Sequence, residues 1–118
     1  MNASSWDLDK FLAGLGPMQF MAPELLGLFI NSIGKKLDNL EDALHDNDLS
    51  AISQVVHAIK GTAGQVQCLA LAKMALDIEQ SLAAGKAEQL NEYCQRLTEQ
   101  ASLDIKRIEA YLSSSKQA

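Results

Sequence analysis

The chain has 118 residues, 47% of them apolar, and a formal net charge of −5. That length suits one domain with a single core, and the apolar fraction excludes a disordered chain. The acidic balance and the absence of a basic stripe argue against nucleic-acid binding, and no apolar run reaches the roughly 18–20 residues of a membrane span. The N-terminus has no basic stretch leading into an apolar one, so the chain reads as a cytoplasmic protein with no membrane contact. Leu and Ala abound and there are two prolines, Pro17 and Pro23, which favours an all-α fold. The two cysteines, Cys68 and Cys94, lie in helical patterns with no Cys or His at ligand spacing, so they read as buried thiols rather than a disulfide or a metal pair.

In chain order, residues 1–5 are expected to be loose, with Ser5 capping a short helix over 6–15 that carries Trp6, Leu8, Phe11, Leu12 and Leu15. Gly14, Gly16 and Pro17 end it, and Met18, Phe20 and Met21 in the following link are expected to plug one end of a bundle. Pro23 suits the first turn of a helix over 23–45, whose stripe is Leu26, Phe29, Ile30, Ile33, Leu37, Leu40 and Leu44. Leu28 points away from that stripe. Asn47 and Asp48 make a turn and cap before a helix over 48–66. A fourth pattern over 69–84 turns Leu71, Ala72, Ala75, Ile78 and Leu82 inward, with Glu79 close to the stripe, and stops at Gly85-Lys86. The last runs over 87–112 on Leu90, Tyr93, Cys94, Leu97, Ala101, Ile105, Ile108 and Leu112, leaving 113–118 frayed. Four longer helices on short turns predict an antiparallel up-down-up-down bundle with a short extra N-terminal helix. The whole chain, 1–118, reads as one domain.

The helix over 48–66 carries the chemistry. Ile52, Val55, Val56, Ile59, Ala63 and Val66 form its core stripe, and His57 falls roughly 150° away from them at about 100° per residue. Gly61 and Gly64 follow on the outward side, and Lys60 lies between them and the core. Each glycine costs about 1 kcal/mol relative to Ala in a helix interior, so two of them beside an exposed histidine suggest that something large comes close from outside. A partly unprotonated imidazole is a nucleophile at neutral pH and can take a phosphoryl group covalently. A lysine at i+3 sits on the adjacent turn, where it meets the transferred negative charge. His45 ends a helix among Glu41, Asp42, Asp46 and Asp48 and reads as structural, its charge favoured by the helix dipole.

The stretch His57-Ala58-Ile59-Lys60-Gly61-Thr62-Ala63-Gly64 resembles the His-x-Leu/Ile-Lys-Gly-Ser/Ala/Thr-Ala signature of histidine-containing phosphotransfer (HPt) domains. The likeness extends over nearly the whole chain. Leu25-Leu26-Gly27-Leu28-Phe29 looks like the family's entry into its first long helix, Asn47-Asp48 like the turn before the histidine helix, and Ile78-Glu79 like the Leu-Glu pair after it. The resemblance implies a four-helix bundle that relays phosphoryl groups between receiver-domain aspartates in multistep phosphorelays. It implies His57 as the phosphorylated residue, Lys60 as an electrostatic aid and Gly61 as room for the receiver. Glu79, or Gln80, is placed where the next helix offers polar support, with an ion pair to a lysine equally open for Glu79. The partners implied are a response-regulator receiver domain or a hybrid sensor histidine kinase, met by a monomer. No cofactor is implied on this chain; Mg²⁺ belongs to the receiver. One departure stands out: the family usually has Gly three residues after the position of Gly64, and this chain has Gln67 there.

Three functions compete at this point. A phosphocarrier uses His57 covalently but is no ATP-dependent kinase, since no glycine-rich nucleotide loop is present. A docking module binds receivers without accepting phosphate. A carboxylate metal bundle needs Glu-x-x-His pairs pointing inward, and the chain has none. Leu28, with Gly61 and Gly64, is the expected docking surface. The start at Met1 leans toward a free-standing protein.

Overall fold

Asp7, not Ser5, starts the first helix. In the computed structural model, which describes residues 4–116, α1 spans Leu8–Leu15 and the Asp7 carboxylate accepts the Lys10 N–H at 3.0 Å. The expected start at residue 6 fails because Ser5 is committed elsewhere. Its N–H and its hydroxyl both donate to the Asp104 carboxylate, at 2.6 and 2.8 Å. The backbone around Trp6 then pairs with Cys68 as an isolated antiparallel bridge. Asp7 N–H donates to the Gln67 carbonyl at 2.9 Å, and Leu69 N–H to the Ser5 carbonyl at 3.3 Å. Residues 4 and 5, expected to be loose, are therefore a strap across the bundle; residues 1–3 lie outside the described residues.

The link after α1 also departs from expectation. Gly16 turns with φ 53°, and Gly16–Met21 winds as a 3₁₀ segment. Met18 and Phe20 do not plug the bundle: they are 47% and 76% exposed. That end is closed instead by Trp6, which packs edge-on against Tyr111 with ring centroids 5.6 Å apart and also meets Phe11. The Arg107 guanidinium lies over the indole at 5.8 Å.

The four long helices follow the apolar periodicity. They are α2, Ala22–His45; α3, Leu49–Gln65; α4, Leu69–Ala83; and α5, Leu90–Lys116. Among the described residues no strand longer than the single bridge occurs. Short links over 46–48, 66–68 and 84–89 reverse the chain, and α2 and α4 each pack against both α3 and α5, closing the ring. Leu26, Ile33, Ile59, Leu71, Ile78 and Leu97 are fully buried at its centre. Asp48 caps α3 by accepting the Ala51 N–H at 3.0 Å, and Gly85, at φ 75°, ends the stretch after α4. α5 continues as helix to Lys116, past the expected end at 112; residues 117 and 118 lie outside the described residues. Both thiols are free and buried: burial and the nearby Asp104 push Cys68 far up, and burial pushes Cys94 up to about 11.

Candidate functional site

The core stripe of α3 fixes which residues face out. Ile52, Val56, Ile59 and Ala63 are buried, so the helix cannot rotate without exposing them, and His57 is held outward with its side chain 67% exposed. The neighbouring helix supplies the rest. Ile78 is anchored in the core, which sets Glu79, one residue on, at the α3–α4 seam with its side chain a quarter exposed. One Glu79 carboxylate oxygen lies 2.5 Å from His57 Nδ1, and the other accepts from Lys60 Nζ at 2.8 Å. Glu79 thus takes both roles the sequence left open: it supports the histidine and pairs with Lys60.

The protonation pattern follows from this geometry. The hydrogen bonds from Lys60 and His57 hold the Glu79 carboxyl below its ordinary value, so at neutral pH it is ionised and can only accept. In the neutral imidazole the proton shared with Glu79 therefore belongs to Nδ1, which leaves the Nε2 lone pair for chemistry. A carboxylate that orients an imidazole and stabilises the charge it gains is the arrangement by which many enzymes prepare a histidine.

Gly61 is exposed and Gly64 half-buried. A Cβ at either would meet nothing within 4 Å, and neither has a positive φ. Nothing inside the protein requires glycine there. Gly27 and Gly34 on α2 are equally open, so the distinction of Gly61 and Gly64 is their place, one and two turns beyond His57. Leu28 is 60% exposed and borders two grooves. One lies over α2 and α3 with Lys35, Lys36, Gln54 and Ala58; the other lies toward α1 with Leu15, Leu25 and Thr62. Gln80 is not brought to the site; it is exposed and faces the groove between α4 and α5 with Tyr93 and Arg96. His45 is exposed at the end of α2. Among the described residues, no group of three or more His, Cys, Asp or Glu is placed to hold a metal, and no helix is long and apolar enough to cross a membrane.

The lysines at positions 35 and 36 went unnoticed in the sequence, although Leu28, Ser32 and Lys35 are spaced i, i+4, i+7 on one face. Asp104 was missed as well. It stands within the run Leu97, Ala101, Asp104, Ile108, a carboxylate placed at core spacing.

A four-helix bundle presenting an oriented, exposed histidine fits one class: helical proteins that carry a group on an imidazole and pass it to a partner. Comparison with known proteins narrows the class. The Hpt domain family model matches residues 24–117, and the chain belongs to that family, which acts in phosphotransfer within phosphorelays. Two solved structures share its fold. The histidine-containing phosphotransfer protein B of Pseudomonas aeruginosa PAO1 superposes with a TM-score of 0.86 at 18% identity, covering 96% of this chain and 98% of that one. The HPT domain of a sensor hybrid histidine kinase from Shewanella superposes at 0.82, also at 18% identity, covering 93% and 95%. No curated protein matches the chain by sequence.

Proposed function

We propose that His57 carries the phosphoryl group and that this chain passes it between aspartates of receiver domains. The observation that supports the reading best is the contact of His57 Nδ1 with Glu79, which directs Nε2 to solvent as the nucleophile. The Nε2 lone pair attacks phosphorus of an aspartyl phosphate. The P–N bond forms as the P–O bond to the aspartate carboxyl breaks, and the carboxylate departs with that electron pair. The imidazole keeps its Nδ1 proton and gains positive charge, which the Glu79 carboxylate offsets. Transfer onward is the reverse, with a second aspartate as the attacking group. Lys60, held at the seam by Glu79, adds a positive charge near the phosphoryl oxygens. Mg²⁺ is supplied by the receiver, and this chain acts as a cytoplasmic monomer. The receiver, free-standing or part of a hybrid kinase, seats over Gly61 and Gly64 and against Leu28.

Radiolabelled phosphoryl transfer from a phosphorylated receiver tests this, with phosphoramidate as a second, partner-independent donor. The wild-type chain is expected to gain an acid-labile, alkali-stable label, and His57→Gln none. A label that persists in His57→Gln overturns the assignment. Receiver binding without any transfer supports a docking module instead.

A further inference from the structure

The groove over α2 and α3 has a composition at odds with the rest of the chain. The protein holds 15 acidic and 10 basic residues, yet no carboxylate lines this groove. Its only charges are Lys35 and Lys36, above the apolar Leu28, Val55 and Ala58. Neither lysine has a carboxylate within ion-pair distance among the described residues, whereas Lys60, Lys73 and Arg96 each have one. Lys36 Nζ is turned along α2 to donate to Ser32 Oγ at 2.6 Å, which holds the ammonium in place without neutralising it. Ala58 adjoins His57 in sequence, and Gln54 precedes it by one turn. The reactive ridge is thus flanked by cations on both sides, with Lys60 compensated by Glu79 and the α2 pair left uncompensated.

We infer that Lys35 and Lys36 form an electrostatic docking element that steers and orients the acid-rich rim of the partner's phosphorylation site. The inference rests on the phosphotransfer reading of His57. A partner that carries an acyl phosphate on aspartate together with Mg²⁺ must hold that ion with carboxylates close to the phosphoryl group. When its phosphorus reaches Nε2, those carboxylates lie within a few ångströms of the ridge. The α2 side meets them with two positive charges and no negative one. Complementary charge across an interface raises the association rate and fixes orientation, and it fades with salt. Lys35 and Lys36 are positioning residues; they act on the arrival of the partner, while Lys60 and Glu79 act on the histidine itself.

The test uses a panel of isolated receiver domains from the source organism with Mg²⁺, the tightest binder being taken into stopped-flow association at low and high salt. The double variant Lys35→Glu/Lys36→Glu is compared with the wild type and with Lys86→Glu/Lys106→Glu, a control of the same charge change at two exposed lysines outside the groove. The double reversal is expected to lower the association rate at least about tenfold at low salt and to flatten its salt dependence. The control is expected to follow the wild type, and phosphoramidate labelling of all three to be equal. An unchanged rate in the double variant overturns the inference, as does an equal loss in the control, which would make net charge the cause. Slower phosphoramidate labelling of the double variant also overturns it, since the lysines would then act on His57. A panel in which no receiver binds the wild type overturns the inference and the receiver partnership together. Label surviving His57→Gln, with the salt effect intact, removes the phosphotransfer assignment alone and leaves the docking element standing.

Discussion

Glu79 serves His57 with one oxygen and Lys60 with the other, so its charge is the quantity to alter. Glu79→Gln keeps the shape and can still accept from Nδ1, but it cannot offset the charge that builds on the imidazole. Phosphoramidate labelling of His57 is expected to slow about tenfold at unchanged helicity; an unchanged rate would reduce Glu79 to a packing role. Lys60→Ala is expected to slow transfer from a receiver, again without loss of helix content. The pH dependence has a definite sign. Because the folded-state value of Glu79 is lowered, its ion pairs stabilise the fold above the ordinary carboxylate range and are lost only as pH falls through the lower, folded value. A carbon-detected titration of the Glu79 carboxyl should place its midpoint below the ordinary value of about 4.3, and Lys60→Ala should raise it. A midpoint at or above the ordinary value contradicts the bridging geometry.

On the scale of the helix, α3 combines a buried stripe with an open one, and substitutions on the open stripe separate docking from folding. A Cβ at Gly61 meets nothing within 4 Å, and in Gly61→Arg the new residue is the better helix former by roughly 0.6–1 kcal/mol. The variant should melt no lower than the wild type yet fail to bind a receiver; normal binding would remove the glycine face from the interface. At the end of α3 the departure from the family pattern proves to be a strained residue. Gln67 adopts φ 71°, a region that costs a side chain about 1–2 kcal/mol and glycine nothing. The turn geometry survives because the Gln67 carbonyl accepts the Asp7 N–H and the flanking Val66 and Cys68 are buried. Gln67→Gly is expected to raise the urea midpoint by an amount worth up to about 1 kcal/mol, part of the relief being offset by the freer unfolded chain. A lower midpoint would show that the glutamine side chain holds the turn. These cases also show what the sequence could reveal. Long stripes and the outward histidine were legible because periodicity records burial directly, and the Asp48 cap because it stands next to the stripe it starts. The strap and the 3₁₀ link were not, since a serine just ahead of a helix has the pattern of a cap and the partner of Ser5, Asp104, lies 99 residues away.

Across the whole molecule, one buried carboxylate ties the N-terminal strap to α5. Asp104 is fully buried and accepts from the Ser4 hydroxyl, the Ser5 hydroxyl and the Ser5 N–H. Truncation to Ala leaves these donors without their acceptor, and Asp104→Ala is expected to cost about 1–3 kcal/mol. Trp6, the only tryptophan, sits beside this anchor against Tyr111 and Arg107, so its emission reports the strap directly. A red shift and a lower urea midpoint are expected, with His57 still labelled by phosphoramidate because the strap meets the α3–α4 link at 67–69 and not the contact of His57 with Glu79. An unshifted emission would show that the aromatic packing holds the strap by itself.

The histidine stands on a ridge between grooves and lines neither the one over α2 and α3 nor the one between α4 and α5. A ridge cannot enclose a small acceptor; any concavity must come from the partner. A standard protein interface covers about 800 Å² on each side, a patch roughly 30 Å across. Two proteins that bring aspartates to the same Nε2 must therefore claim the same patch. On the proposed role of His57, donor and acceptor take turns, the reaction is expected to follow ping-pong order, and an idle partner is expected to inhibit the loaded one competitively. Traffic through the chain then depends on relative abundance and on how fast each spent partner leaves, so an excess of either partner slows the flow it was made to carry.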